Sequence, residues 1–492
     1  MKKTVLAIDL GQAWGRGMIA ETDGEKITLK EIIRFNNTPV KVKGTLYWDV
    51  LRQFKQIKRC IIAARPYKPQ SLAIDTWGCD FALLDRNGNL VGNPVHFMDE
   101  RTAGMVEYLD ITEMPLKRLY EITGVQVIGF NTIFQLEALM VNHDILLDIA
   151  SEMLFMPDYF NYLLCGEDRT DPSIATTSQM IDAKTKLWSR EILDAIELDR
   201  PHPAGICQSG TVLGPLLPEL AKSMEVEPLD IILGCGHDTQ CAIAAVPAEE
   251  NEDILYISSG AWCMFGTELD EAIINEKTAK YNWSNETGFG GKTTLLKTMV
   301  GLWLMENCYH VWKNEGKNYT YLDLAEMAFA TKPFAAMFDT MWEEFAGADN
   351  VPARLRDYFE FTGQDIPEGV GGYIRAIHES LAMKFRTAKE ELEEITGKSY
   401  KRIYLVGGGC RFKTLAQFTA NATGCEVVTG PVESTSYGNA IIQLIAKGDL
   451  KDLAEGRRLI RNSVELTVYR PQNVDEWDTA YEQYKIICAR GR

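Results

Sequence analysis

The sequence predicts an α/β fold in two domains. Its 492 residues are enough for two or three domains of ordinary size. Apolar runs of strand length alternate with helical patterns along the chain. The segments beginning near 4 and near 254 share one order of strand, small-residue turn and strand, and one Pro and four acids separate the halves at 247–253. We therefore expect two related domains, 1–246 and 247–492.

The strands are predicted mainly from short apolar runs that end at turn residues. The first domain begins with strands at 4–10, 17–21 and 27–35. In 71–92 an apolar run breaks and resumes, and Asn87-Gly88 predicts a hairpin turn there. These strands provide the framework on which the chemically interesting residues lie.

The helices are predicted from the spacing of apolar residues. Leu, Met and His residues at helical spacing predict helices across 130–165. The segment "LLKTMVGLWLMEN" (295–307) is apolar almost all round, which is typical of a buried helix. The acidic stretch "KEELEEI" (389–395) is interpreted as a solvated helix face.

Charge and composition restrict the possible partners and compartment. The net charge of −18, from 51 basic and 69 acidic residues, argues against nucleic acid or an anionic membrane, since both bind basic surfaces. Asp9 interrupts the first apolar stretch too early for a signal peptide, and no run has the ~18–20 apolar residues of a membrane span. The eleven cysteines are scattered without a C-x-x-C pair. We expect a cytoplasmic protein with small-molecule partners and no zinc site.

The opening stretch "KKTVLAIDLGQAWGRGMIAE" (2–21) places an acid at the end of an apolar strand, beside glycines. A glycine turn exposes backbone N–H groups, which form a concave site for phosphate oxygens. Asp9 is suited to Mg²⁺, directly or through water, and Arg16 supplies a cation for phosphate. The alternative is that Asp9 only braces a hairpin. The spacing matches neither a Walker loop nor G-x-G-x-x-G.

A second stretch, "ILGCGHDTQCAIAAV" (232–246), runs from a strand through a glycine turn into an Ala-rich helix. Asp238 then lies at a helix start, where the positive helix end favours its ionised form. The functional interpretation is a carboxylate base that accepts a proton from a substrate hydroxyl. The structural alternative, of equal weight, is an ordinary N-cap.

Two further glycine turns occur in the second half of the chain, in "YISSGAW" (256–262) and "IYLVGGGCRFKTLAQFTANATG" (403–424). Three glycines between a strand and a helix allow a flat ligand to lie against the backbone. A plain tight turn is the alternative for each.

The four stretches, in this order, resemble the FGGY carbohydrate kinases over nearly the whole chain. Within that family the chain is most similar to the rhamnulokinases, and 177–183 with Gln240 is also similar to the L-fuculokinases. The segments that carry the resemblance are "DTWGCDFALLD" (75–85), "FNTIFQLEAL" (130–139), "MPDYFNYLLCG" (156–166), "GHDT" (236–239), "LVGGG" (405–409) and "TGPVESTSYGNA" (429–440). The resemblance implies two ribonuclease-H-like (actin-like ATPase) domains, with a cleft between them in which sugar and ATP bind.

The resemblance also implies roles for particular residues, with ATP and Mg²⁺ as cofactors. Asp238 would take the proton from the sugar 1-hydroxyl, while His237, Thr239 and Gly78 would contact the sugar. Asp9 would organise magnesium through water. The residues implied for ATP are Gln12, Ala13, Trp14, Gly15 and Arg16 at the phosphates, the turn Ser258–Ala261 from the second domain, and Gly408 and Gly409 at the adenosine.

The chain departs from the family pattern at several of these positions. Ala13 and Trp14 stand where small hydroxyl residues are usual, and Ala261 replaces a Thr. Thr298 takes the place of a sugar-binding Asn, and Glu306 that of an ATP-contacting Gln. If 295–307 were one helix, the last two would lie about 12 Å apart along it, so that one helix would contact both sugar and nucleotide.

The leading interpretation is an ATP-dependent kinase that converts L-rhamnulose to L-rhamnulose 1-phosphate, with L-fuculokinase as the near alternative. A second alternative is a sugar-sensing pseudokinase with weak ATP binding, suggested by the missing hydroxyls at 13, 14 and 261. A purely structural member of the actin-like superfamily is disfavoured by the sugar-site segments. The oligomeric state leaves no signal in one sequence.

Overall fold

The computed structural model describes residues 2–345 and 348–491, which form an alternation of strands and helices. The strands are β1 (Lys3–Leu10), β2 (Trp14–Thr22), β3 (Ile27–Asn36), β4 (Val40–Val42), β5 (Thr45–Tyr47), β6 (Ser71–Thr76), β7 (Phe81–Leu84), β8 (Glu152–Phe155), β9 (Arg169–Thr170), β10 (His202–Pro203), β11 (Gly205–Ile206), β12 (Thr211–Pro215), β13 (Asp230–Leu233), β14 (Leu255–Ser259), β15 (Trp262–Leu269), β16 (Ser284–Thr287), β17 (Thr293–Val300), β18 (Arg402–Gly407), β19 (Glu426–Thr429) and β20 (Thr467–Tyr469).

The helices vary from one turn to 28 residues. They are α1 (Val50–Ala64), α2 (Met105–Thr112), α3 (Leu116–Thr123), α4 (Thr132–Val141), α5 (Ile145–Ile149), α6 (Met156–Cys165), α7 (Pro172–Thr176), α8 (Arg190–Ala195), α9 (Pro218–Met224), α10 (Asp238–Ala244), α11 (Glu276–Lys280), α12 (Trp303–Asn314), α13 (Tyr321–Ala330), α14 (Val351–Thr362), α15 (Gly369–Thr396), α16 (Lys413–Thr423), α17 (Ser434–Ala446), α18 (Leu453–Arg461) and α19 (Val474–Arg490). None of the helices in the described ranges is long and apolar enough to cross a bilayer.

The chain folds into two compact units that are not continuous in sequence. Unit 1 consists of Met1–Glu250, Glu268–Leu295 and Ser434–Val464, and unit 2 consists of Asn251–Thr267, Leu296–Glu433 and Glu465–Arg492. Unit 1 therefore includes two segments from beyond residue 247. The domain ranges 1–246 and 247–492 stay a prediction, and their outer ends, Met1 and Arg492, lie outside the described residues.

Unit 1 is built on a six-stranded sheet with the order β12-β13-β6-β1-β2-β3. β1 is parallel to β6, and β6 to β13, while β1–β2, β2–β3 and β12–β13 are antiparallel. The central strand β1 is apolar on both faces because both are covered, and six of its eight residues are buried. The carboxyl ends of β1, β6 and β13 consequently meet at one edge, where parallel α/β sheets usually bind ligands.

A late segment of the chain, α17, packs on this sheet and on α10. Gln443 joins it to two strands, since its Nε2 donates to the Leu6 carbonyl at 3.0 Å and its Oε1 accepts from Ser71 Oγ at 2.7 Å. Gly438 lies against α10 so closely that a Cβ there would be 1.7 Å from the Cys241 carbonyl oxygen. The position of α10 in unit 1 therefore depends on α17.

Unit 2 repeats the strand order of unit 1. Six strands follow one another as β17-β15-β14-β18-β19-β20, in the way that β3-β2-β1-β6-β13-β12 do in unit 1. β14 is antiparallel to β15 and parallel to β18, and β18 is parallel to β19. The repeated order of strand, small-residue turn and strand is thus confirmed.

Most of the predicted elements are present, with two corrections. The hairpin turn at Asn87-Gly88 is confirmed, since the Gly88 N–H donates to the Asp85 carbonyl and Gly88 has a φ of +77°. The region 130–165 contains the helices α4, α5 and α6, separated by short connections and the strand β8. The segment 295–307 is wrong as a single helix: it comprises the end of β17, a break at Gly301 and the start of α12.

Candidate functional site

The polar end of the central strands in unit 1 brings together residues that are far apart in sequence. Asp9 is the register partner of Asp75 on the neighbouring parallel strand. Thr76 forms a parallel bridge with His237, and its N–H donates to the Gly236 carbonyl at 2.8 Å. One edge of the sheet is thus formed by the end of β1, the end of β6 and the start of α10. Gly78 follows Thr76, the last residue of β6, by two positions.

Asp9 forms an ion pair across the first hairpin. Its Oδ2 lies 2.5 Å from Arg16 Nη2, and the two residues face each other in the register of β1 and β2. The side chains are 8% and 18% exposed, so the pair is largely removed from water. Asp9 thus braces the hairpin through this ion pair. Its role toward magnesium stays a prediction.

The turn that follows Asp9 leaves backbone N–H groups available. The Gly11 N–H donates to the Trp14 carbonyl at 3.0 Å. Asn37 donates two hydrogen bonds to the turn, from its backbone N–H to the Ala13 carbonyl at 2.9 Å and from its Nδ2 to the Gly11 carbonyl at 2.7 Å. The backbone N–H groups of Gln12 and Ala13 donate to no acceptor among the described residues. These two groups suit an anion such as phosphate.

The other residues of the predicted phosphate loop, Trp14, Gly15 and Arg16, form the start of β2. Trp14 is 52% exposed. A Cβ on Gly15 would lie 2.2 Å from Phe35 Cζ, so packing against an aromatic ring is enough to require this glycine. The predicted loop thus has two parts. Gln12 and Ala13 lie in a turn, and their backbone N–H groups have no acceptor in the described part of the chain, whereas Trp14, Gly15 and Arg16 belong to β2 of the sheet.

Asp238 is the first residue of α10, while the N-cap position belongs to His237, whose side chain makes no capping bond. The ordinary N-cap interpretation of Asp238 is therefore wrong. Its Oδ1 accepts from the Thr239 N–H at 2.6 Å, and the side chain is 32% exposed. Burial raises the pKa of Asp238, an effect that His237 opposes and the charge of Asp9 reinforces.

The predicted sugar-contacting residues Gly78, His237 and Thr239 lie near this edge. Thr239 is 4% exposed, and its Oγ1 is 3.4 Å from Asp238 Oδ1. Gly78 packs on Thr177, since a Cβ at 78 would be 2.9 Å from Thr177 Cγ2. The next residue, Cys79, has a φ of +72° and donates its N–H to Thr177 Oγ1 at 2.9 Å. This constrained backbone fixes the path of the chain at Gly78.

Two acids at the site were not assigned a role from the sequence. Asp75 is fully buried: its Oδ2 accepts from Asn439 Nδ2 at 2.6 Å, and Oδ1 has no partner among the described residues. Burial, followed by the charge of Asp9, raises the pKa of Asp75 well above its usual range. Its position after an apolar run, like that of Asp9, was an available signal. Glu286 on β16 is 8% exposed and faces His237, and nothing in its local sequence indicates this.

In unit 2, the two stretches predicted to hold the nucleotide are adjacent. β14 and β18 are parallel, with Ser259 opposite Gly407. A Cβ on Gly409 would lie 2.4 Å from Ser259 Oγ, so the glycine turn packs directly on the Ser258–Ala261 turn. Gly408 has more space, because a Cβ there would meet only the Ser259 carbonyl oxygen, at 3.7 Å.

The Ser258–Ala261 turn is fixed by the residues that precede and begin α12. The Ala261 carbonyl accepts from the N–H groups of Gly301 at 3.0 Å and Trp303 at 3.2 Å, and the Gly260 carbonyl accepts from Leu302 at 3.0 Å. The Ala261 N–H donates to no described residue. A backbone donor is therefore available at the position where the family has a threonine hydroxyl.

Thr298 and Glu306 do not share a helix. Thr298 lies in β17 and Glu306 is exposed on α12, with the break at Gly301 between them. The predicted arrangement of one helix contacting sugar and nucleotide is therefore wrong. A Cβ on Gly301 would be 2.5 Å from Cys263 Sγ and 2.9 Å from the Gly260 carbonyl oxygen, so close packing requires a glycine at this break.

The residues present fit a magnesium ion that arrives with a nucleotide. Among the described residues, no three His, Cys, Asp or Glu side chains are grouped so as to hold a metal ion by themselves. Mg²⁺ usually keeps several waters and takes one or two carboxylates together with substrate phosphates. Asp9, beside the open N–H groups of Gln12 and Ala13, matches that donor set.

Comparison with protein families matches both halves of the chain. The model of the N-terminal domain of the FGGY family of carbohydrate kinases matches residues 4–245. The model of the C-terminal domain of the same family matches residues 255–447. The two matches together cover most of the chain.

Curated relatives match over the full length. A rhamnulokinase from Bacteroides thetaiotaomicron is 36% identical over 492 residues, covering 100% of both chains. A rhamnulokinase from Halalkalibacterium halodurans is 34% identical over 466 residues, covering 94% of this chain and 98% of the relative. The similarity to these enzymes therefore extends over all or nearly all of the chain.

Solved structures of sugar kinases have the same fold. A gluconate kinase from Lactobacillus acidophilus superposes with a TM-score of 0.82 at 17% identity, covering 99% of this chain and 98% of the other. A ligand-bound xylulose kinase from the same organism gives 0.81 at 17% identity, with 99% and 97% coverage. At this identity the likeness establishes the α/β two-domain, actin-like architecture alone.

Proposed function

Because the chain belongs to the FGGY family of carbohydrate kinases, we propose that it phosphorylates L-rhamnulose at O1 with ATP. The chain is a carbohydrate kinase enzyme, and its specific substrate is the proposed part. The observation that carries the proposal is the identity of 36% with a rhamnulokinase over the whole length of both chains. Relatives that share this level of identity over the whole length support a shared substrate class.

In this proposal unit 1 binds the acceptor sugar. Asp238 accepts the proton of the 1-hydroxyl while the hydroxyl oxygen attacks the γ-phosphorus of ATP. The bond between the γ-phosphorus and the oxygen of the β-phosphate breaks, and ADP is the leaving group. The partial exposure of the Asp238 side chain leaves an oxygen accessible to a ligand. His237 and Thr239 flank it on the same helix start, and Gly78 allows the sugar to approach the backbone.

Unit 2 binds the nucleotide in this proposal, with phosphate contacts also from the first hairpin of unit 1. The open N–H groups of Gln12, Ala13 and Ala261 replace the side-chain hydroxyls that the family carries at 13, 14 and 261. Magnesium, when bound, would neutralise charge on the phosphates, and Asp9 would hold it through water. Gly408 and Gly409 lie against the adenosine.

The replacement Asp238→Asn tests the mechanism. We expect the turnover number on L-rhamnulose to fall at least ~10²-fold, since general-base catalysis contributes ~10²–10⁴-fold, while sugar affinity by calorimetry changes little. Asp194→Asn is the control, because Asp194 is 56% exposed on α8 and pairs only with Arg190 among the contacts described. Full activity of Asp238→Asn would contradict the assignment.

A panel of ketoses with ATP and magnesium tests the substrate. Preference for L-rhamnulose supports the proposal, and preference for L-fuculose would replace it with L-fuculokinase. Sugar binding without affinity for ATP and without turnover would identify a sugar-sensing pseudokinase. Product analysis by phosphorus NMR distinguishes phosphorylation at O1 from other positions.

A further inference from the structure

His237 lies between two carboxylates in unit 1. Its Nε2 is 3.5 Å from Asp238 Oδ1, and its Nδ1 is 3.4 Å from Glu286 Oε2. The side chain is 10% exposed, and Nδ1 has no well-aligned hydrogen-bond partner among the described residues. The imidazole therefore faces an acid on each ring nitrogen, in a site from which water is largely removed.

Glu286 is held in place by a buried polar network. Gln240 Nε2 donates to Glu286 Oε2 at 3.0 Å and to Thr294 Oγ1 at 2.9 Å. Thr294 Oγ1 also lies 3.2 Å from the Glu286 carbonyl, and Ser284 Oγ is 3.5 Å from Glu286 Oε1. Gln240 and Thr294 are 1% and 0% exposed. The Glu286 carboxylate is thus fixed toward His237.

We propose that Glu286 is a positioning residue, which keeps His237 protonated and oriented so that its Nε2–H faces Asp238. The proposal rests on the proposed function, in which Asp238 is the base. The tautomer and orientation of a histidine are set by the group that its other nitrogen meets, and a buried acid stabilises the imidazolium. Glu286 acts through His237 and contacts neither substrate nor nucleotide.

The charges around His237 favour its protonated form. The groups that face it are Glu286 on β16, Asp238 on α10 and Asp171 at the start of α7. Burial lowers the pKa of His237, but these three carboxylates, led by Glu286, outweigh burial and raise it above its usual value. Burial raises the pKa of Asp238, and the charge of His237 beside it acts in the opposite direction, toward the ionised form of this base.

The first test is a direct titration of His237. The chain has six histidines, so the His237 imidazole signal in NMR spectra is assigned by its loss in His237→Asn. We expect its pKa to fall by roughly one unit in Glu286→Gln, which keeps the size of the side chain and removes the charge. Thr294→Val, which disturbs the same network without changing charge, should leave the titration unchanged. An unchanged pKa in Glu286→Gln overturns the proposal.

The second test is the pH profile of kcat/KM on L-rhamnulose. Loss of the cation beside Asp238 raises the pKa of this base, so the acid limb should move up by roughly one unit in Glu286→Gln and activity should recover at high pH. Thr294→Val should keep the limb of the unmodified protein, and Glu286→Asp should restore it in part. A loss that is equal at every pH indicates a merely structural role and overturns the proposal. If the unmodified protein has no activity on any ketose, the proposed function fails, and the titration still decides the role of Glu286 toward His237.

Discussion

Glu137 is a buried acid that affects stability more than chemistry. It lies on α4, is 2% exposed, and its Oε1 has no hydrogen-bond partner among the described residues. Burial, with a smaller contribution from Glu113, raises its pKa to about 7. In the unfolded chain the same group has a pKa of about 4.3. The folded state therefore favours the protonated form, and the resulting stabilisation is complete below about pH 4 and is lost as the pH rises through 7.

Replacing this acid by its neutral analogue should change the pH dependence of stability. Glu137→Gln removes this titration. The free energy of unfolding of the variant, relative to that of the unmodified protein, should therefore increase by up to roughly 3 kcal/mol as the pH is raised from 5 to 8. Urea unfolding at both pH values measures this difference. Glu107→Gln, at an exposed position on α2, is the control and should show no such gain. An equal effect of Glu137→Gln at both pH values would mean that the buried acid does not titrate in this range.

The chemistry of single residues was only partly predictable from the sequence. Asp9 and Asp75 both end apolar runs, and the sequence presents them alike. The structure distinguishes them by their partners: Arg16 is close in sequence to Asp9, whereas Asn439 follows Asp75 by 364 positions. The fold brings together partners that are so distant in sequence. The burial of Asp75 and its raised pKa were therefore not accessible from local patterns.

At the level of elements, the contact between α10 and α17 determines where Asp238 lies. Gly438→Ala would place a Cβ 1.7 Å from the Cys241 carbonyl oxygen, and backbone atoms cannot move aside as a flexible side chain does. We expect it to destabilise the protein by about 2 kcal/mol or more and to lower turnover, because the start of α10 must shift.

A second glycine provides the control for this contact. A Cβ on Gly456 of α18 would be 3.0 Å from Ile441 Cδ1 and 3.1 Å from Ile441 Cβ. These contacts are tight but much longer than 1.7 Å, so Gly456→Ala should cost clearly less than Gly438→Ala. Thermal unfolding and kcat measured on both variants separate the two cases. Equal effects would show that the α10–α17 contact does not control the position of Asp238.

Prediction of elements succeeded where the pattern had one interpretation and failed where it had two. The strands at 4–10, 17–21 and 27–35 are confirmed because short apolar runs between turn residues have few alternatives. In 295–307 a continuous apolar run fits a buried strand and a buried helix equally well. Gly301 was the available signal, since a glycine inside such a run often marks a break.

At the scale of the whole molecule, the two units show how far a weak internal repeat extends. The sequence indicated only that each half begins with strand, turn and strand. The structure shows that all six strands of the main order recur, with β14 in the place of β1 and β18 in the place of β6. The inclusion of 268–295 and 434–464 in unit 1 was not predictable, because it depends on packing such as that of α17 rather than on any break in composition.

The proposed assignment of sugar to unit 1 and nucleotide to unit 2 predicts that ligand affinities respond separately to substitution. Gly409→Ala would bring a Cβ to 2.4 Å from Ser259 Oγ and 2.5 Å from Ser259 Cβ, which forces apart the two turns predicted to hold the nucleotide. We expect the dissociation constant of Mg-ATP to rise at least roughly tenfold, equivalent to about 1.4 kcal/mol, and that of the sugar to stay unchanged.

Gly408→Ala is the matched variant, because a Cβ at this neighbouring glycine would meet only the Ser259 carbonyl oxygen at an ordinary 3.7 Å. It should weaken Mg-ATP binding less than Gly409→Ala does. Calorimetry with each ligand alone measures both constants, and circular dichroism confirms that both variants are folded. If Gly409→Ala weakened sugar and nucleotide equally, or left nucleotide affinity intact, the glycine turn of unit 2 would not be the nucleotide site. A selective loss of nucleotide affinity in Gly409→Ala, with sugar affinity retained, would place the adenosine at the glycine turn of unit 2.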